Sequence, residues 1–189
     1  MTGSATDPGA TPAVVDRARV VTVSTSAAAG RAEDRSGPLL VAGLRERGWQ
    51  VPDPLVVADG DPVAEALRRC LADDVAVVLL TGGTGLTADD TTPEQVLPLL
   101  DRLVPGIPEA LRADGTRRGV ATSALSRGVA GVAGSTLVVT LPGSTGACRD
   151  ALELLGPLLP HAAAMLGGAP AHGHGRGEGT VAPPGPHDA

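Results

Sequence analysis

The sequence predicts one α/β domain: a three-layer α/β/α fold with a mostly parallel sheet and one antiparallel hairpin. Its 189 residues suffice for a single domain with tails. Apolar residues make up 42% of the chain and charged residues 19%, a balance that can supply a hydrophobic core. Between the two ends, strand patterns alternate with helix patterns, which is typical of a sheet covered by helices on both faces.

The first half of the chain carries three strand patterns and two helix patterns. Residues 19–24 (RVVTVS) form a short β-branched run that predicts a strand, and residues 51–57 predict a poorer one interrupted by prolines. Residues 75–80 (VAVVLL) are apolar throughout, as expected of a strand covered on both faces. Ser36 is expected to cap the first helix, and Asp61 the second.

The second half predicts a helix, a hairpin and a broken helix. Residues 92–95 (TPEQ) have the capping-box pattern of a helix start. Residues 128–132 and 136–141 flank a small-residue turn and predict an antiparallel hairpin attached to the parallel strands. Helical patterns return from residue 144 to about residue 166, with a break expected at Pro157.

The predicted domain spans residues 17–168, and both ends are predicted to be disordered. Residues 1–16 are small, polar and interrupted by proline, and residues 169–189 offer almost nothing to bury. The second tail contains three of the four histidines, His172, His174 and His187. A solvated tail is the favoured interpretation, and a metal-binding tail is the alternative.

Composition excludes several classes of function. All fifteen basic residues are arginine, which excludes a Schiff-base lysine and the lysine-containing Walker P-loop. The chain has one Trp, no Phe and no Tyr, and its net charge is −6, so we expect no binding to nucleic acid. Two cysteines without metal-like spacing, no signal-peptide pattern and no membrane-length apolar run predict a cytoplasmic protein without membrane contact.

The strongest candidate for a ligand site follows the third predicted strand. Three glycines lie within residues 82–85, and they allow the backbone to approach an anion with its N–H groups. Nearby hydroxyl groups, beginning with Thr81, add donors, and Asp90 adds a carboxylate just before the next helix. Because an unneutralised carboxylate would repel an anion, this loop predicts phosphate together with a divalent cation. The alternative is a glycine-rich turn followed by an acidic helix start.

Three other strand ends are expected to meet this loop, since ligands collect beyond the carboxyl ends of the strands in open α/β sheets. Residues 26–37 follow the first strand as a small-residue loop in which Arg31 and Arg35 are candidates to compensate phosphate charge, and surface solvation is the favoured interpretation of these two arginines. Residues 142–146 (PGSTG) follow the hairpin, and Ser144 is expected to cap the next helix and direct free N–H groups at an anion. A plain strand–turn–helix junction is the alternative for this segment. Asp59 follows the second strand and, unlike Asp61, has no capping role to explain it, which makes it a candidate site carboxylate.

Four motifs in this order resemble the molybdenum-cofactor biosynthesis family of the MoaB/Mog type, which includes the molybdopterin adenylyltransferases. The motifs are GRAEDRSGPLL at residues 30–40, TGGTG at 81–85 followed by Asp90-x-Thr92-Pro93-Glu94, LSR at 125–127, and LPGS at 141–144 with Gly146, Ala147 and Arg149 after it. The resemblance covers residues 19–168, essentially the whole predicted domain.

The resemblance implies a compact α/β enzyme, commonly a homotrimer, in contact with other proteins of the cofactor pathway. It implies Mg²⁺-dependent transfer of AMP from ATP to the terminal phosphate of molybdopterin, with release of pyrophosphate. Asp59 and Asp90 match the two family carboxylates associated with catalysis and metal binding. The residues that it assigns to binding of the nucleotide or the pterin are Ser36, Gly37, Thr81, Gly82, Gly83, Thr84, Gly85, Pro142, Gly143 and Ser144.

Three positions depart from the family pattern and support a second interpretation. Asp89 stands where the family often has Arg, Thr145 replaces the last proline of LPGSP, and Ala58 replaces a proline before the first site aspartate. The second interpretation is a catalytically weak or inactive pterin-binding paralogue that acts as a carrier or assembly protein in the same pathway. A third, a nucleotide-binding oxidoreductase, would need a better dinucleotide fingerprint than the glycine-rich loop offers.

Overall fold

The computed structural model describes residues 16–167 of the chain. The ends predicted to be disordered, residues 1–16 and 169–189, lie outside the described part except for Asp16. Asp16 takes part in the fold, because its carbonyl oxygen accepts a hydrogen bond of 3.0 Å from the backbone N–H of Gln50. The tails themselves remain predictions.

One mixed sheet forms the centre of the fold. Its strands are β1 (Ala18–Val23), β2 (Leu55–Val57), β3 (Val77–Thr81), β4 (Arg102–Leu103), β5 (Ala130–Ala133) and β6 (Thr136–Leu141). The spatial order is β2-β1-β3-β6-β5-β4. The first four in this order are parallel, whereas β5 pairs antiparallel with β6 and with β4. The predicted parallel sheet with an antiparallel hairpin is therefore confirmed, and β4 is an additional edge strand.

Helices cover both faces of the sheet. Seven α-helices lie within residues 16–167: α1 (Thr25–Ala28), α2 (Ser36–Glu46), α3 (Asp61–Ala72), α4 (Thr92–Val96), α5 (Gly106–Arg117), α6 (Thr145–Leu155) and α7 (Leu159–Leu166). Short 3₁₀ turns lie at Leu97–Leu99 and Ala121–Leu125. The break expected at Pro157 is confirmed, since this residue lies between α6 and α7. None of these seven helices has the length and apolar character needed to cross a membrane.

The sheet buries a separate apolar cluster on each face. On one face α2, α6 and α7 pack against the sheet, and they bury Leu40, Leu155 and Leu159. On the other face α3 buries Val63 and Leu67. Side chains of β3 alternate between the two clusters, as a pleated strand requires. This confirms that the third predicted strand is covered on both sides.

Three predicted helix caps are wrong. Ser36 does not cap α2, because its own N–H and that of Gly37 donate to Oδ1 of Asp34, at 3.1 and 3.0 Å. The Asp34 carboxylate therefore satisfies the free N–H groups at the start of this helix. The side chain of Asp61 makes no capping hydrogen bond at α3. The capping box predicted at residues 92–95 also does not form, and α4 begins without a side-chain cap.

Helix α5 is an element that the sequence patterns did not reveal. Pro108 and Gly115 interrupt its helical pattern, because proline and glycine are poor helix formers. In the fold, the buried carboxylate of Asp114 accepts a hydrogen bond of 2.7 Å from Arg118. Arg118 also donates to Glu153 of α6 at 2.7 Å. A local i,i+4 ion pair and a contact with α6 therefore stabilise α5, although its helix propensity is weak.

Glycine at position 131 is expected to be required for the pairing of β5 with β4. A Cβ atom there would lie 2.5 Å from the carbonyl oxygen of Arg102 and 2.7 Å from the side chain of Leu100. We expect Gly131→Ala to lower the free energy of unfolding by about 1–3 kcal/mol, because the backbone of β4 would have to shift. Urea unfolding followed by circular dichroism measures this change.

Gly106→Ala is the matched control, since a Cβ atom at the start of α5 meets nothing within 4 Å. It should leave stability unchanged or slightly higher, because alanine restricts the unfolded chain. Equal unfolding midpoints for the two variants would contradict the described pairing of β4 with β5.

Candidate functional site

A cleft of about 1230 Å³ lies beyond the carboxyl ends of the four parallel strands. The segments that follow β1, β2, β3 and β6 form its walls, together with residues 120–126 around the second 3₁₀ turn. In the sheet, β2 lies on one side of β1, and β3 and β6 lie on the other side. The direction in which successive strands are added therefore reverses at β1. Loops diverge at such a reversal, which is the usual position of a ligand in an open α/β sheet.

The structure brings ten of the twelve sequence-predicted site residues into the lining of this cleft. The ten residues are Ser36, Asp59, Gly82, Gly83, Thr84, Gly85, Asp90, Pro142, Gly143 and Ser144. Gly37 and Thr81 are buried and do not line it. Of the three departures from the family pattern, Thr145 lies in the lining, whereas Ala58 and Asp89 do not.

Gly37 and Thr81 lie beneath the cleft surface, where they contact residues that line it. A Cβ atom at Gly37 would overlap the carboxylate of Asp34, so a larger residue would displace the start of α2. Thr81 Oγ1 donates to the carbonyl of Pro142 at 2.9 Å and lies 3.3 Å from Sγ of Cys148. Burial raises the pKa of the Cys148 thiol, which makes this cysteine a packing residue rather than a thiolate nucleophile.

The glycine loop, residues 82–85, has a backbone that other residues would strain. Its φ angle is +107° at Gly82 and +61° at Gly83, in the region that favours glycine. A Cβ atom at Gly82 would overlap the carbonyl oxygen of Val23 at the end of β1. One at Gly85 would lie 2.8 Å from Oδ2 of Asp90. Backbone therefore forms the floor of the cleft between β1 and β3.

Asp59 is held at the cleft by α1, a helix that was not predicted. Its Oδ2 accepts hydrogen bonds from the hydroxyl of Thr25 at 2.7 Å and from the N–H of Thr25 at 3.2 Å. The N–H of Asp59 donates back to the same hydroxyl at 3.2 Å. Oδ1 accepts no hydrogen bond from residues 16–167 and points toward Gly83, 2.9 Å from where a Cβ would stand. One oxygen of Asp59 is bound, and the other is available to a ligand.

Asp90 is held in the same manner by Thr87. Its Oδ2 accepts hydrogen bonds from the Thr87 hydroxyl at 2.5 Å and from the Thr87 N–H at 2.9 Å. The pKa of Asp90 is lowered, and the largest cause is the hydrogen bond from the Thr87 hydroxyl. Burial acts in the opposite direction. Smaller lowering effects come from the N–H groups of Thr87 and Gly85 and from the positive charge of Arg127. The carboxylate is therefore ionised at neutral pH.

Arg127 is a site residue to which the sequence analysis assigned no role, although it ends the LSR motif. Its Nε donates to the carbonyl of Gly85 at 2.7 Å, and its backbone N–H donates to that of Thr84 at 2.9 Å. The guanidinium also donates to the carbonyl of Asp90 and to the carboxylate of Glu94. The hydrogen bond from Arg127 is the largest cause of a lowered pKa at Glu94.

Asp34 is a second residue that the sequence analysis missed. Besides the two N–H groups of α2, its Oδ1 accepts a hydrogen bond of 3.2 Å from the hydroxyl of Ser36. Its Oδ2 accepts one of 2.7 Å from the hydroxyl of Thr22 in β1. The carboxylate therefore ties the start of α2 to the end of β1. An aspartate two positions before a predicted helix start was the available signal.

The N terminus of α6 forms another wall of the cleft. Ser144 Oγ accepts a hydrogen bond of 3.2 Å from the N–H of Ala147, which confirms the predicted cap. Thr145 in the first turn lines the cleft. The N–H groups of Thr145 and Gly146 donate to no acceptor within residues 16–167, so they are the free donors of this turn.

The cleft carries more negative than positive side chains. Its charged lining residues are the carboxylates Glu33, Asp34, Asp59 and Asp90 and the arginines Arg31 and Arg35. Arg35 pairs with Glu33 at 3.3 Å, whereas Arg31 makes no ion pair within the described part of the chain. Residues 16–167 contain no group of three or more His, Cys, Asp or Glu side chains placed to bind a metal ion.

We expect Thr87→Val to raise the pKa of Asp90 toward its ordinary value, because the Thr87 hydroxyl is the largest cause of the lowering. Asp90 contributes stability above its ordinary pKa, and this is lost as the pH falls through the lowered value. In the variant that contribution would be smaller and would be lost at a higher pH. Titration of the carboxyl carbon by NMR, assigned with Asp90→Asn, measures the pKa.

Thr116→Val is the matched control for this titration. The Thr116 hydroxyl donates to the carbonyl of Arg112 at 3.0 Å and contacts no carboxylate, so the pKa of Asp90 should not change. The same pKa in Thr87→Val and in the unsubstituted chain would contradict the described hydrogen bond.

The chain matches a known protein family over most of its length. The family described as "Probable molybdopterin binding domain" matches residues 19–161. Molybdenum cofactor biosynthesis protein B of Escherichia coli K12 is 43% identical over 138 residues, which is 71% of this chain and 81% of that protein. A molybdenum cofactor biosynthesis bifunctional protein of Synechococcus elongatus is 43% identical over 153 residues, which is 80% of this chain and 48% of that protein. The chain therefore spans about half the length of the bifunctional relatives that it matches.

Solved structures agree with this family assignment. A structure of MogA superposes with a TM-score of 0.77 at 46% identity, and the match covers 79% of this chain and 99% of that one. The Mog protein from Mycobacterium ulcerans gives a TM-score of 0.76 at 42% identity, covering 80% of this chain and 99% of that one. The same α/β fold is therefore shared over nearly the whole described region. This chain belongs to the molybdenum-cofactor biosynthesis family of the MoaB/Mog type.

Proposed function

We propose that the chain catalyses Mg²⁺-dependent transfer of AMP from ATP to molybdopterin, which gives adenylyl-molybdopterin and pyrophosphate. One observation carries the proposal: the glycine loop lies between two threonine-held carboxylates, Asp59 and Asp90, in one cleft. A backbone anion cradle beside two carboxylates suits a polyphosphate that binds together with a metal ion. The family description and the relatives' names support molybdopterin as the second substrate.

Backbone N–H groups would bind the phosphates of the nucleotide. In residues 82–85 the N–H groups of Gly83 and Thr84 donate to no acceptor within residues 16–167, whereas the N–H of Gly82 donates to the carbonyl of Leu141 at 3.0 Å and that of Gly85 to Asp90. The free N–H groups of Thr145 and Gly146 add the positive end of the α6 dipole at another wall. This arrangement would allow a chain without lysine to bind a triphosphate.

Asp59 and Asp90 would hold the Mg²⁺. This ion takes oxygen ligands and commonly binds through one or two carboxylates together with substrate phosphates. The donor set fits, because both carboxylates border the glycine loop and Oδ1 of Asp59 has no other partner within residues 16–167. When bound, Mg²⁺ supplies positive charge that neutralises the phosphates and the departing pyrophosphate.

The proposed reaction joins two phosphates, so its barrier arises mainly from bringing anions together in line. An oxygen of the terminal phosphate of molybdopterin attacks the α-phosphorus of ATP, and the bond from that phosphorus to pyrophosphate breaks. The residues of the chain contribute by orienting both substrates and by placing N–H donors where charge develops. Arg31, which makes no ion pair within residues 16–167, is the lining cation available to a substrate phosphate.

A second candidate is a pterin-binding carrier or assembly protein of the same pathway without efficient adenylation. The excess of carboxylates in the lining favours it, because they weaken binding of a triphosphate unless a cation intervenes. Thr145, a departure from the family pattern, also lies in the lining. Asp89 supports this candidate less than the sequence suggested, because its side chain is exposed and lies outside the lining.

Several finer expectations from the resemblance stay predictions. They are the homotrimer, contact with other proteins of the pathway, and a cytoplasmic location. Because the chain spans about half the length of its bifunctional relatives, we propose for it no second activity of those proteins.

Isothermal titration with ATP distinguishes the two candidates. We expect ATP to bind in the presence of Mg²⁺ and to bind at least about tenfold more weakly in EDTA, because the lining is net negative. AMP is the control ligand, and its binding should depend much less on Mg²⁺ because it lacks the β- and γ-phosphates. Absence of ATP binding with Mg²⁺ would overturn the adenylyl-transfer proposal and favour the carrier.

We expect Asp90→Asn and Asp59→Asn each to lower AMP transfer to molybdopterin by more than about 100-fold. The unfolding midpoint should change little, because asparagine keeps the size and an oxygen acceptor but loses the charge. Mass-spectrometric detection of adenylyl-molybdopterin measures the transfer. Asp53→Asn is the control, since this exposed carboxylate pairs with Arg45 and does not line the cleft. Transfer at the unsubstituted rate by Asp90→Asn would show that the loop carboxylate has a different role.

A further inference from the structure

The aspartate loop, residues 84–90, carries the second site carboxylate but has few anchors of its own. Thr84 is its buried residue, and residues 86–89 are exposed. Asp90 bonds to Thr87 inside the loop. Within the described chain, the N–H of the adjacent Thr91 donates to the carbonyl of Asp89 at 2.9 Å, and every other hydrogen bond between this loop and the rest comes from Arg127. An exposed segment with so little buried surface opens readily unless such bonds hold it.

Arg127 contacts the aspartate loop at both ends. Its backbone N–H and its Nε donate to the carbonyls of Thr84 and Gly85, at 2.9 and 2.7 Å. At the other end the guanidinium donates to the carbonyl of Asp90. It also pairs with Glu94 in α4, just beyond the loop. One side chain therefore fastens the two ends of the loop to each other and to the following helix.

The backbone at Arg127 is itself held in place by other elements of the fold. It lies in the segment that enters β5, between Ser126 and Gly128. Arg112 of α5 donates to the carbonyls of these two neighbours, at 3.2 and 3.5 Å. The backbone from which the Arg127 side chain extends is thus bound to α5 on one side and to the sheet on the other.

We propose that Arg127 is the positioning residue that keeps Asp90 and the glycine loop in their cleft-facing arrangement. Arg127 does not line the cleft, so it acts through the loop and not by touching a substrate. A guanidinium has five N–H donors in a rigid plane and can reach three acceptors at once. The ammonium of lysine, a point charge on a flexible stem, cannot reproduce this geometry. The expected effect of Arg127 on kcat rests on the proposed function, whereas its effect on the position of the loop does not.

Amide hydrogen exchange in the full chain tests the proposal without ATP or molybdopterin. We expect Arg127→Lys and Arg127→Gln both to increase exchange in residues 84–90 by about tenfold or more, because charge-assisted hydrogen bonds are lost. Exchange in β3 and β6 should stay unchanged. Mass spectrometry of proteolytic fragments measures both regions in the same experiment.

AMP transfer provides a second readout. We expect kcat of both variants to fall on the order of 100-fold, with a much smaller change in KM for ATP, because a misplaced catalytic group slows the chemical step. Millimolar guanidinium should restore part of kcat in Arg127→Ala and none in Arg127→Lys, where the side chain occupies the space. A merely structural role for Arg127 would not produce this selective rescue.

Arg118→Gln is the matched control. Arg118 pairs with three carboxylates between α5 and α6, those of Asp114, Asp150 and Glu153, and does not contact the aspartate loop. Its loss should lower the unfolding midpoint without changing loop exchange or kcat. Unchanged exchange in residues 84–90 of both Arg127 variants would overturn the proposal, and so would an unchanged kcat in an active enzyme. If the unsubstituted chain transfers no AMP, the proposed function fails, and the exchange measurement still decides the role of Arg127.

Discussion

The close approach of the glycine loop to the end of β1 is the constraint on which the rest of the site depends. Gly82 leaves β3 at a φ of +107°, with no room for a Cβ atom against the carbonyl of Val23. Because the backbone lies against β1, the segments that follow β2 and β6 can reach the same cleft. A side chain at position 82 would move the loop away from β1 and with it the carboxylate that the loop carries.

Both site carboxylates are oriented by the same local arrangement, although they come from different parts of the chain. Each Oδ2 accepts two hydrogen bonds, one from the hydroxyl and one from the N–H of a single threonine. Two bonds restrict the plane of a carboxylate more than one does, and a preoriented carboxylate is what metal-assisted phosphate chemistry requires. The supports differ: Asp59 lies two residues after the end of β2, whereas Asp90 lies in an exposed loop whose carbonyl groups accept hydrogen bonds from Arg127.

The absence of lysine gives the cleft its particular electrostatics. Many phosphate sites place a lysine on the anion, but here the lining contains two arginines and four carboxylates. In the proposed function, backbone N–H groups would therefore provide most of the protein's own attraction for phosphate, and a divalent cation would offset the carboxylates. Affinity for a polyphosphate would then depend strongly on the metal, as expected of the adenylyl-transfer candidate and not of the pterin carrier.

Some features of the site were predictable because their signals are local. The β-branched and apolar runs predicted β1 and β3, and the three glycines of residues 82–85 predicted a close approach of backbone to an anion. Asp34 was missed because Ser36 is an equally good cap by sequence, and only the folded backbone decides which oxygen reaches the free N–H groups. Arg127 was missed because its partner Glu94 lies 33 positions earlier, so no local pattern connects them.

Local signals were enough to predict five of the six strands, all except β4, and the turns that can expose backbone to a ligand, because propensity and glycine conformation act over a few residues. The tertiary structure decided which side chains meet: it brought Asp59 and Asp90 to one glycine loop and placed Arg127 behind that loop. The reason is that strand order, which local signals do not encode, sets which distant segments become neighbours.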